Sequence, residues 1–224
     1  MINLNFLNPK TKKIFNILST QDFIKEYILV SGTALSLQIE HRLSEDLDFI
    51  YNGEFINNKK LKRNIHNLFN KNYRIIKEDD RYQLDFIIKD IKVTFFSSSA
   101  ALIPFKVKNF SSKFNKMNIA TPEIIATLKF VAISQRNEIR DYYDLYFLAK
   151  YKISLNKIIE QTKKLVPNLA PITYSETIIY VDDIPEKSIQ TSLSPKEIVD
   201  KYEIAEYFVK ELKKLLFYES ENKK

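Results

Sequence analysis

Hydrophobic and polar positions follow different rhythms in the two halves of the chain. Through about residue 110, short apolar runs alternate with stretches whose apolar residues recur at helical spacing. Only residues 89–91 separate the last two apolar runs, which favours a hairpin. The predicted helices cover 8–26 (as one or two), 33–39 and 59–70, and the predicted strands cover 27–31, 46–51, 73–77, 82–88 and 92–96. This order predicts a compact mixed α/β sheet and not a doubly wound one.

After residue 110 the pattern becomes mainly helical. Residues 111–117 are polar and basic and resemble a linker, whereas Thr121-Pro122-Glu123 is typical of a helix start. Ser194-Pro195-Lys196-Glu197 repeats that signal before the last helix. The predicted helices run from 121 to about 136 or beyond, over 142–151, onward from 154, and over 194–217, with an irregular stretch at 172–192 that holds at most one short strand. The chain is therefore predicted to be α+β, with a small mixed-sheet domain at 1–112 and a helical, bundle-like domain at 113–224.

Composition narrows the chemistry. The 224 residues include no cysteine and only two histidines, so carboxylates would hold any metal, which favours Mg²⁺ or Mn²⁺. We find no signal-peptide pattern, and no apolar run reaches the roughly 18 residues of a membrane span, so a cytoplasmic protein without a membrane partner is expected. The net charge of +7 permits a nucleotide or nucleic-acid partner, although lysine-rich chains are basic through composition alone.

The first candidate site is the turn Ser31-Gly32-Thr33, between a predicted strand and a predicted helix. Backbone N–H groups at a helix start are unpaired within the helix and form a natural phosphate cradle. A glycine lets a phosphate approach closely, and the flanking hydroxyls can donate hydrogen bonds. Alone, however, such a glycine usually marks an ordinary turn.

The second candidate site is the acidic pair Asp46 and Asp48. Residues two apart on a strand face the same way, so both carboxylates would point away from the apolar side. A divalent cation offsets the repulsion between them, although a solvated edge face is the plainer interpretation of an isolated pair. Thirteen residues separate Gly32 from Asp46, enough for one helix and a turn, so the two features can face each other. Phosphoryl-group transfer needs this combination of a held triphosphate and a metal.

Two segments carry a resemblance to a known family. Residues 32–49, reading GTALSLQIEHRLSEDLDF, resemble the opening motif of the AbiEii/AbiGii toxin-like nucleotidyltransferases, within the DNA polymerase β-type superfamily. Residues 121–136 and 140–148 are similar to a later part of that family and follow in the same order and spacing. The resemblance implies transfer of a nucleoside monophosphate from a nucleoside triphosphate, with Mg²⁺ or Mn²⁺, to an RNA (for some members tRNA) or protein acceptor. It also implies a toxin–antitoxin or phage-defence setting, with an antitoxin protein or its gene as partner.

The resemblance also implies roles for individual residues. Asp46 and Asp48 match the metal-binding, catalytic aspartates, and Lys129, Asp141 and Asp144 match further catalytic positions. Gly32, Thr33, Arg42 and Ser44 match the part of the family motif that binds nucleotide. The chain's own pattern adds Ser31, Arg136 and Arg140 to the residues expected to bind nucleotide.

The residues themselves leave alternatives open in the later segment. If 121–140 is one helix, Lys129, Arg136 and Arg140 share a face that suits a triphosphate, or is simply solvated. Asp141 has a plainer interpretation as an N-cap, with Asp144 three residues on completing a capping-box-like pair.

The chain departs from the superfamily pattern at Thr94, where a third carboxylate is expected on a later strand. Threonine neither holds a metal as a carboxylate does nor acts as a base at neutral pH. Asp85 on the adjacent strand, or Asp144, would be substitutes. The leading hypothesis is an active nucleotidyltransferase. Its rival is a catalytically silent nucleotide- or RNA-binding module that acts through the basic helical half.

Overall fold

The computed structural model describes residues 2–185 and 193–221, which form two compact units, Met1–Ile125 and Ala126–Lys224. The first unit contains α1 (Pro9–Ser19), β1 (Tyr27–Val30), α2 (Ser31–Ile39), β2 (Leu47–Tyr51), α3 (Asn58–Phe69), β3 (Tyr73–Asp79), β4 (Gln83–Ile88), β5 (Ile91–Ser97), β6 (Ser111–Phe114) and β7 (Met117–Ala120). The division between the units falls within α4 (Pro122–Ile133), which is followed by α5 (Ile139–Tyr151), α6 (Leu155–Leu165), α7 (Pro171–Thr177) and α8 (Lys201–Glu221).

The first unit is built on one seven-stranded mixed sheet, in the order β3-β4-β5-β2-β1-β7-β6. β2 runs parallel to β5 and β1 runs parallel to β7, while the other neighbours are antiparallel. Lys89 and Asp90 close the β4–β5 hairpin with φ of 49° and 73°, the left-handed geometry of a two-residue hairpin turn. The predicted mixed sheet and the α+β fold class are confirmed.

The two faces of this sheet differ in character. On the core face, alternate positions of β2, β4 and β5 carry buried apolar side chains, and the stacked rings of Phe49 and Phe95 lie 5.0 Å apart. α3 meets this face where His66 contacts the ring of Tyr73. We call the opposite face of the sheet the polar face. Asp48 lies on it, because Asp48 alternates along β2 with residues of the core face. Because side chains alternate along a strand, the buried apolar set fixes which residues the polar face presents.

The interpretation of residues 111–117 as a linker is wrong. β6 and β7 are strands of the sheet, and β7 is fully buried beside β1. β6 has a polar sequence because it is an edge strand with one neighbour, where polar side chains face solvent. The predicted boundary at residue 112 therefore lies inside β6, and the compact units divide at residues 125 and 126.

The second unit is helical in the part that the structure describes. α5 packs against α6 and α8, and α6 also contacts α8. The irregular stretch predicted at 172–192 instead begins with α7, and residues 186–192 of that prediction lie outside the described residues. Within the described ranges, no helix combines the length and the apolar character that crossing a membrane requires.

The last helix begins later than predicted. α8 starts at Lys201 and not at Ser194, because a reciprocal cap forms there. The Asp200 carboxylate accepts from the backbone N–H groups of Tyr202 (2.8 Å) and Glu203 (2.9 Å), and the Asp200 N–H donates to the Glu203 carboxylate at 2.8 Å. This is the capping-box arrangement, and it satisfies donors that a helix start leaves unpaired.

We therefore expect Asp200→Ala to lower the free energy of unfolding by about 1 kcal/mol, the usual cost of losing an N-cap. Ser194→Ala is the matched control, because the sequence marks it as a cap although no helix starts there. Urea unfolding followed by circular dichroism measures both variants. Equal losses would contradict the assignment of the cap to Asp200.

Candidate active site

The turn between β1 and α2 is shaped by a buried arginine. Arg42 is 3% exposed, and its guanidinium occupies the place that a Cβ at position 32 would need. The close approach of the Arg42 guanidinium therefore requires glycine at position 32. The sequence alone did not reveal this contact. Ser31, and not Gly32, has the left-handed backbone of this turn, with φ of 64°. The guanidinium and the first N–H groups of α2 therefore lie together at this turn, and the N–H groups of a helix start are suited to an anion.

Thr33 and Ser44 form a buried pair of hydroxyls behind the turn. The Thr33 hydroxyl donates to the backbone carbonyl of Asp46, and the two hydroxyl oxygens lie 2.7 Å apart. Since Thr33 has one hydroxyl proton, Ser44 is the donor in that second contact. Both side chains are at most 6% exposed, so they hold the segment that leads to Asp46. Their predicted contact with nucleotide stays a prediction.

The same segment is held from its other side by the start of the chain. Ser44 N–H donates to the Phe6 carbonyl at 3.2 Å, and Asn8 N–H donates to the Ser44 carbonyl at 3.3 Å. The fully buried Thr11 donates its hydroxyl to the Glu45 carbonyl at 2.5 Å. The approach to the acidic pair is thus fixed by backbone contacts on both sides. Thr11 was missed because no local signal links it to residue 45.

Removal of the Thr33 hydroxyl tests this positioning. We expect Thr33→Val to lower the free energy of unfolding by about 1–3 kcal/mol, because the Ser44 hydroxyl and the Asp46 carbonyl lose a buried partner. We also expect weaker binding of Mn²⁺, measured by calorimetry, because Asp46 is then less firmly placed. Thr20→Val is the control, since both hydrogen bonds of that hydroxyl are exposed: it donates to the Ile17 carbonyl and accepts from the Gln21 amide. Unchanged stability and Mn²⁺ affinity would contradict the role assigned to Thr33.

The acidic pair follows the predicted strand alternation. Leu47 and Phe49 are fully buried, while Asp46 and Asp48 are half-buried. Asp48 lies in register with Val30, the last residue of β1 before the Ser31 turn. The carboxylate-bearing end of β2 is therefore next to the start of α2.

Thr94 occupies the position at which the superfamily has its third carboxylate. Thr94 lies in register between Asp48 on β2 and Asp85 on β4, on the polar face. Its hydroxyl is buried and has no hydrogen-bond partner among the described residues. Asp85 is 3% exposed, accepts from the Gln83 amide at 2.9 Å, and lies 3.5 Å from the Lys92 ammonium.

Asp85 is too far away to complete a three-carboxylate cluster. It is two strands from Asp48, which separates their α-carbons by about 10 Å at the usual strand spacing. In agreement, no group of three acidic or histidine side chains gathers as a metal site in the described ranges. The described polar face therefore offers Asp48 with Thr94 in register beside it, and Asp46 lies two residues earlier, just before β2.

The later segment forms a buried ion cluster. The Lys129 ammonium on α4 lies 2.6 Å from the Asp141 carboxylate and 2.5 Å from that of Asp144, both on α5. These three side chains are no more than 4% exposed. Arg136 adds a 2.8 Å contact from its Nε to Asp141. A buried charge of this kind is tolerated only when it is paired, so each member depends on the others.

Two expectations about this segment are wrong. Residues 121–140 are not one helix, because α4 ends at Ile133 and α5 begins at Ile139, so Lys129, Arg136 and Arg140 share no helix face. Asp141 is not an N-cap, because it lies within the first turn of α5 with its carboxylate on Lys129. The break between the helices lets α5 fold back and brings its acids to Lys129. Arg140 is exposed, and Arg136 lines an open cavity of about 450 Å³ with residues of α7.

Low pH should destabilise the second unit. Burial opposes ionisation of Asp141, but Lys129 and Arg136 outweigh it and lower the pKa of this carboxyl below its usual value. A depressed pKa in the folded state stabilises the fold above the unfolded-state pKa of about 4, and this stabilisation is lost as the pH falls through the folded value. We expect melting temperature to fall steeply below about pH 4, and Asp141→Asn to flatten that fall. An acid limb that the variant leaves unchanged would contradict the prediction.

A helix start beside the end of β2 that carries two aspartates, on a mixed sheet, is the arrangement expected of a nucleotidyltransferase. The comparisons with known proteins confirm that class. Residues 14–168 match the model of the family described as nucleotidyl transferase AbiEii toxin, Type IV TA system. This match covers more than half of the chain, so the protein belongs to that family, and the resemblance found in the sequence is confirmed.

Two relatives extend the comparison. The chain is 28% identical to the Aquifex aeolicus (strain VF5) protein described as uncharacterized protein aq_aa25, over 197 residues that cover 85% of this chain and 88% of that protein. The crystal structure of JHP933 from Helicobacter pylori is similar at a TM-score of 0.51 and 19% identity, covering 97% of this chain and all of that one. The second likeness shows a shared fold over nearly the whole chain.

Proposed function

We propose that the chain transfers a nucleoside monophosphate from a nucleoside triphosphate, with Mg²⁺ or Mn²⁺ held by Asp46 and Asp48. The observation that carries this proposal is the register of β1 and β2, which places Asp48 beside the residue preceding the Ser31 turn. A triphosphate at the first turn of α2 would then lie next to the carboxylates. Hard carboxylate oxygens fit these cations, and the Thr94 hydroxyl adds an oxygen at their side.

Some residues of the site would bind the triphosphate, and others would orient the metal-binding carboxylates. The bound metal would supply charge neutralisation on the phosphates during transfer. The α2 N–H groups and the buried Arg42 guanidinium would hold the triphosphate, while Thr33 and Ser44 keep Asp46 in place. An acceptor hydroxyl oxygen forms a bond to the α-phosphorus as the bond to pyrophosphate breaks; pyrophosphate leaves with the electron pair of that bond, and the hydroxyl proton passes to solvent water. Orientation of the two reactants is the main contribution of this chain.

The rival hypothesis is a catalytically silent nucleotide- or RNA-binding module. The one observation that favours it is threonine at position 94 in place of a carboxylate. The module's proposed surface, the basic helical half, is weakly charged: residues 126–224 contain 16 lysines and arginines against 15 aspartates and glutamates. Residues 1–125 contain 19 against 13. The charge distribution therefore does not support a nucleic-acid site in the helical half.

We further propose the setting that the family description indicates. The acceptor would be RNA, with tRNA as the first candidate, and the partner that restrains the activity would be an antitoxin protein or its gene. Nucleoside triphosphates are cytoplasmic metabolites, so the reaction is proposed to take place in the cytoplasm. A protein hydroxyl as acceptor would give a self-labelled chain instead of labelled RNA.

One experiment tests the proposal. The purified protein is incubated with Mg²⁺, a total tRNA pool and each α-labelled nucleoside triphosphate in turn, with EDTA as the control. We expect labelled RNA from at least one nucleotide and none in EDTA. Nucleotide binding by calorimetry without label transfer to RNA or protein would favour the silent module, and absence of both binding and transfer would overturn the proposed site.

A further inference from the structure

Basic residues lie on the polar face between the acidic pair and one edge of the sheet. Lys92 on β5 is in register with Ile87 on β4, which in turn is in register with Arg74 on β3. Lys77 on β3 occupies the same row as Asp48, Thr94 and Asp85. Residues in register share a face, so Lys92, Arg74 and Lys77 lie on the face that carries Asp48. We call these three residues the basic track.

The track is accessible, and Arg74 and Lys77 make no ion pair within the described residues. Arg74 and Lys77 are exposed on β3, an edge strand, and the Lys92 side chain is 42% exposed. Within the described residues Arg74 makes no ion pair, and Lys77 donates only to the Gln83 amide oxygen at 2.9 Å. Among the described residues, Asp85 is the one carboxylate paired with the track, through Lys92 at 3.5 Å, and Asp79 lies on the same face because it is in register with Gln83. Free cations on a face of this kind attract a polyanion.

The position of the track separates it from the site proposed for the triphosphate. The α2 turn and Arg42 lie on the β1 side of β2, whereas the track crosses β5, β4 and β3 on the other side. Lys92 and Arg74 are two strands apart, about 10 Å at the usual spacing, which is too far for one phosphate group to bridge. An extended chain of phosphates fits cations at such intervals, and basic grooves that follow the backbone are typical of single-strand binding.

We propose that the basic track binds the sugar–phosphate backbone of the RNA acceptor, so that the strand crosses β3, β4 and β5 and its end reaches Asp46 and Asp48. This inference rests on the proposed nucleotidyl transfer and names the surface that would present the acceptor. The excess positive charge of residues 1–125, the unit that carries the site, supports it. The partner is RNA and not a second nucleotide, because the cations lie on β3 and β5 with the whole of β4 between them.

Charge reversal on the track tests the proposal. The variant is Arg74→Glu with Lys77→Glu, and the probe is a 12-nucleotide single-stranded RNA carrying a 5′ fluorescein, followed by anisotropy. We expect about tenfold weaker binding at 0.1 M salt, and a slope of log K against log salt that is smaller by about 1.4, for two lost phosphate contacts. Lys59→Glu with Arg63→Glu is the matched control, because both residues are exposed on α3, which packs on the core face, and the net charge changes equally. This control should weaken binding less than twofold.

The outcomes separate the track from the proposed function. Equal weakening by the two double variants would reduce the effect to net charge and overturn the track. The track would also be overturned if polyglutamate of equal charge displaced the RNA from the wild type as effectively as unlabelled RNA displaces it. Binding of ATP with Mn²⁺ is measured on the same proteins and should be unchanged. If RNA binding depends on the track but the wild type binds no nucleotide, the proposed transfer fails and the RNA surface stands.

Discussion

Asp46→Asn and Asp48→Asn should each reduce nucleotide transfer about a thousandfold, since loss of a metal-ligating carboxylate removes about 4 kcal/mol of transition-state stabilisation, and each 1.36 kcal/mol is tenfold in rate. The cause is electrostatic: an amide oxygen carries no full charge and holds a divalent cation poorly. Both side chains are half-buried and neither belongs to the core, so the variants should fold. Melting temperature checks that each variant is folded before its activity is compared.

The neighbouring carboxylate provides the control. Glu45 is exposed and contributes to the site only through its backbone carbonyl, which accepts from Thr11. Glu45→Gln removes the same charge one residue away and should retain activity within about twofold, since exposed surface charges contribute little. Label transfer and Mn²⁺ affinity are measured on all three proteins. Transfer that survives in both aspartate variants would eliminate the proposed metal site.

Lys129→Met should lower the free energy of unfolding by about 3–5 kcal/mol, the cost of breaking a buried ion pair from one side. The substitution leaves Asp141 and Asp144 buried without their shared cation, with only Arg136 still on Asp141. Methionine fills a similar volume, so the loss reports charge and not a cavity. Urea unfolding followed by circular dichroism measures it.

The expected size of this loss distinguishes a structural lysine from a catalytic one. Lys163→Met is the control, because its exposed pair with Glu160 at 2.8 Å should contribute less than about 1 kcal/mol. Adding Asp141→Asn and Asp144→Asn to Lys129→Met should recover part of the stability, since the two buried carboxylates that lost the Lys129 ammonium are then neutral. Stability that is unchanged in Lys129→Met, together with lost transfer, would show that the lysine acts on the substrate and not within the fold.

The candidate site was largely predictable where local rules decide. Alternation places Asp46 and Asp48 opposite Leu47 and Phe49 whatever the rest of the chain does, because a strand has a period of two. The order of helices and strands through residue 97 followed from the same periodicities. The glycine at position 32 was noticed correctly, but its reason is the Arg42 guanidinium, which comes from ten residues further along the chain.

The errors lie where two local signals compete or where the partner is distant. Ser194 and Asp200 are both good N-caps in sequence, and only the reciprocal contact with Glu203 selects the second. Residues 134–138 contain no glycine or proline, so nothing local ends the helix at Ile133. β6 reads as a linker because an edge strand tolerates polar side chains on its exposed side.

Local patterns in the sequence predict the first five strands of the sheet and the family to which the chain belongs, while β6 and β7 were not predicted and the shared face of Asp46 and Asp48 stays a prediction. The burial of Lys129 between Asp141 and Asp144 is visible only in the three-dimensional structure. The same is true of the position of Arg74, Lys77 and Lys92 on the face of Asp48. Periodicity and capping depend on residues a few positions apart, so the sequence reveals them directly. Strand register and the pairing of buried charges join residues far apart in the chain, and they are decided by which arrangement covers the core and leaves no charge unpaired.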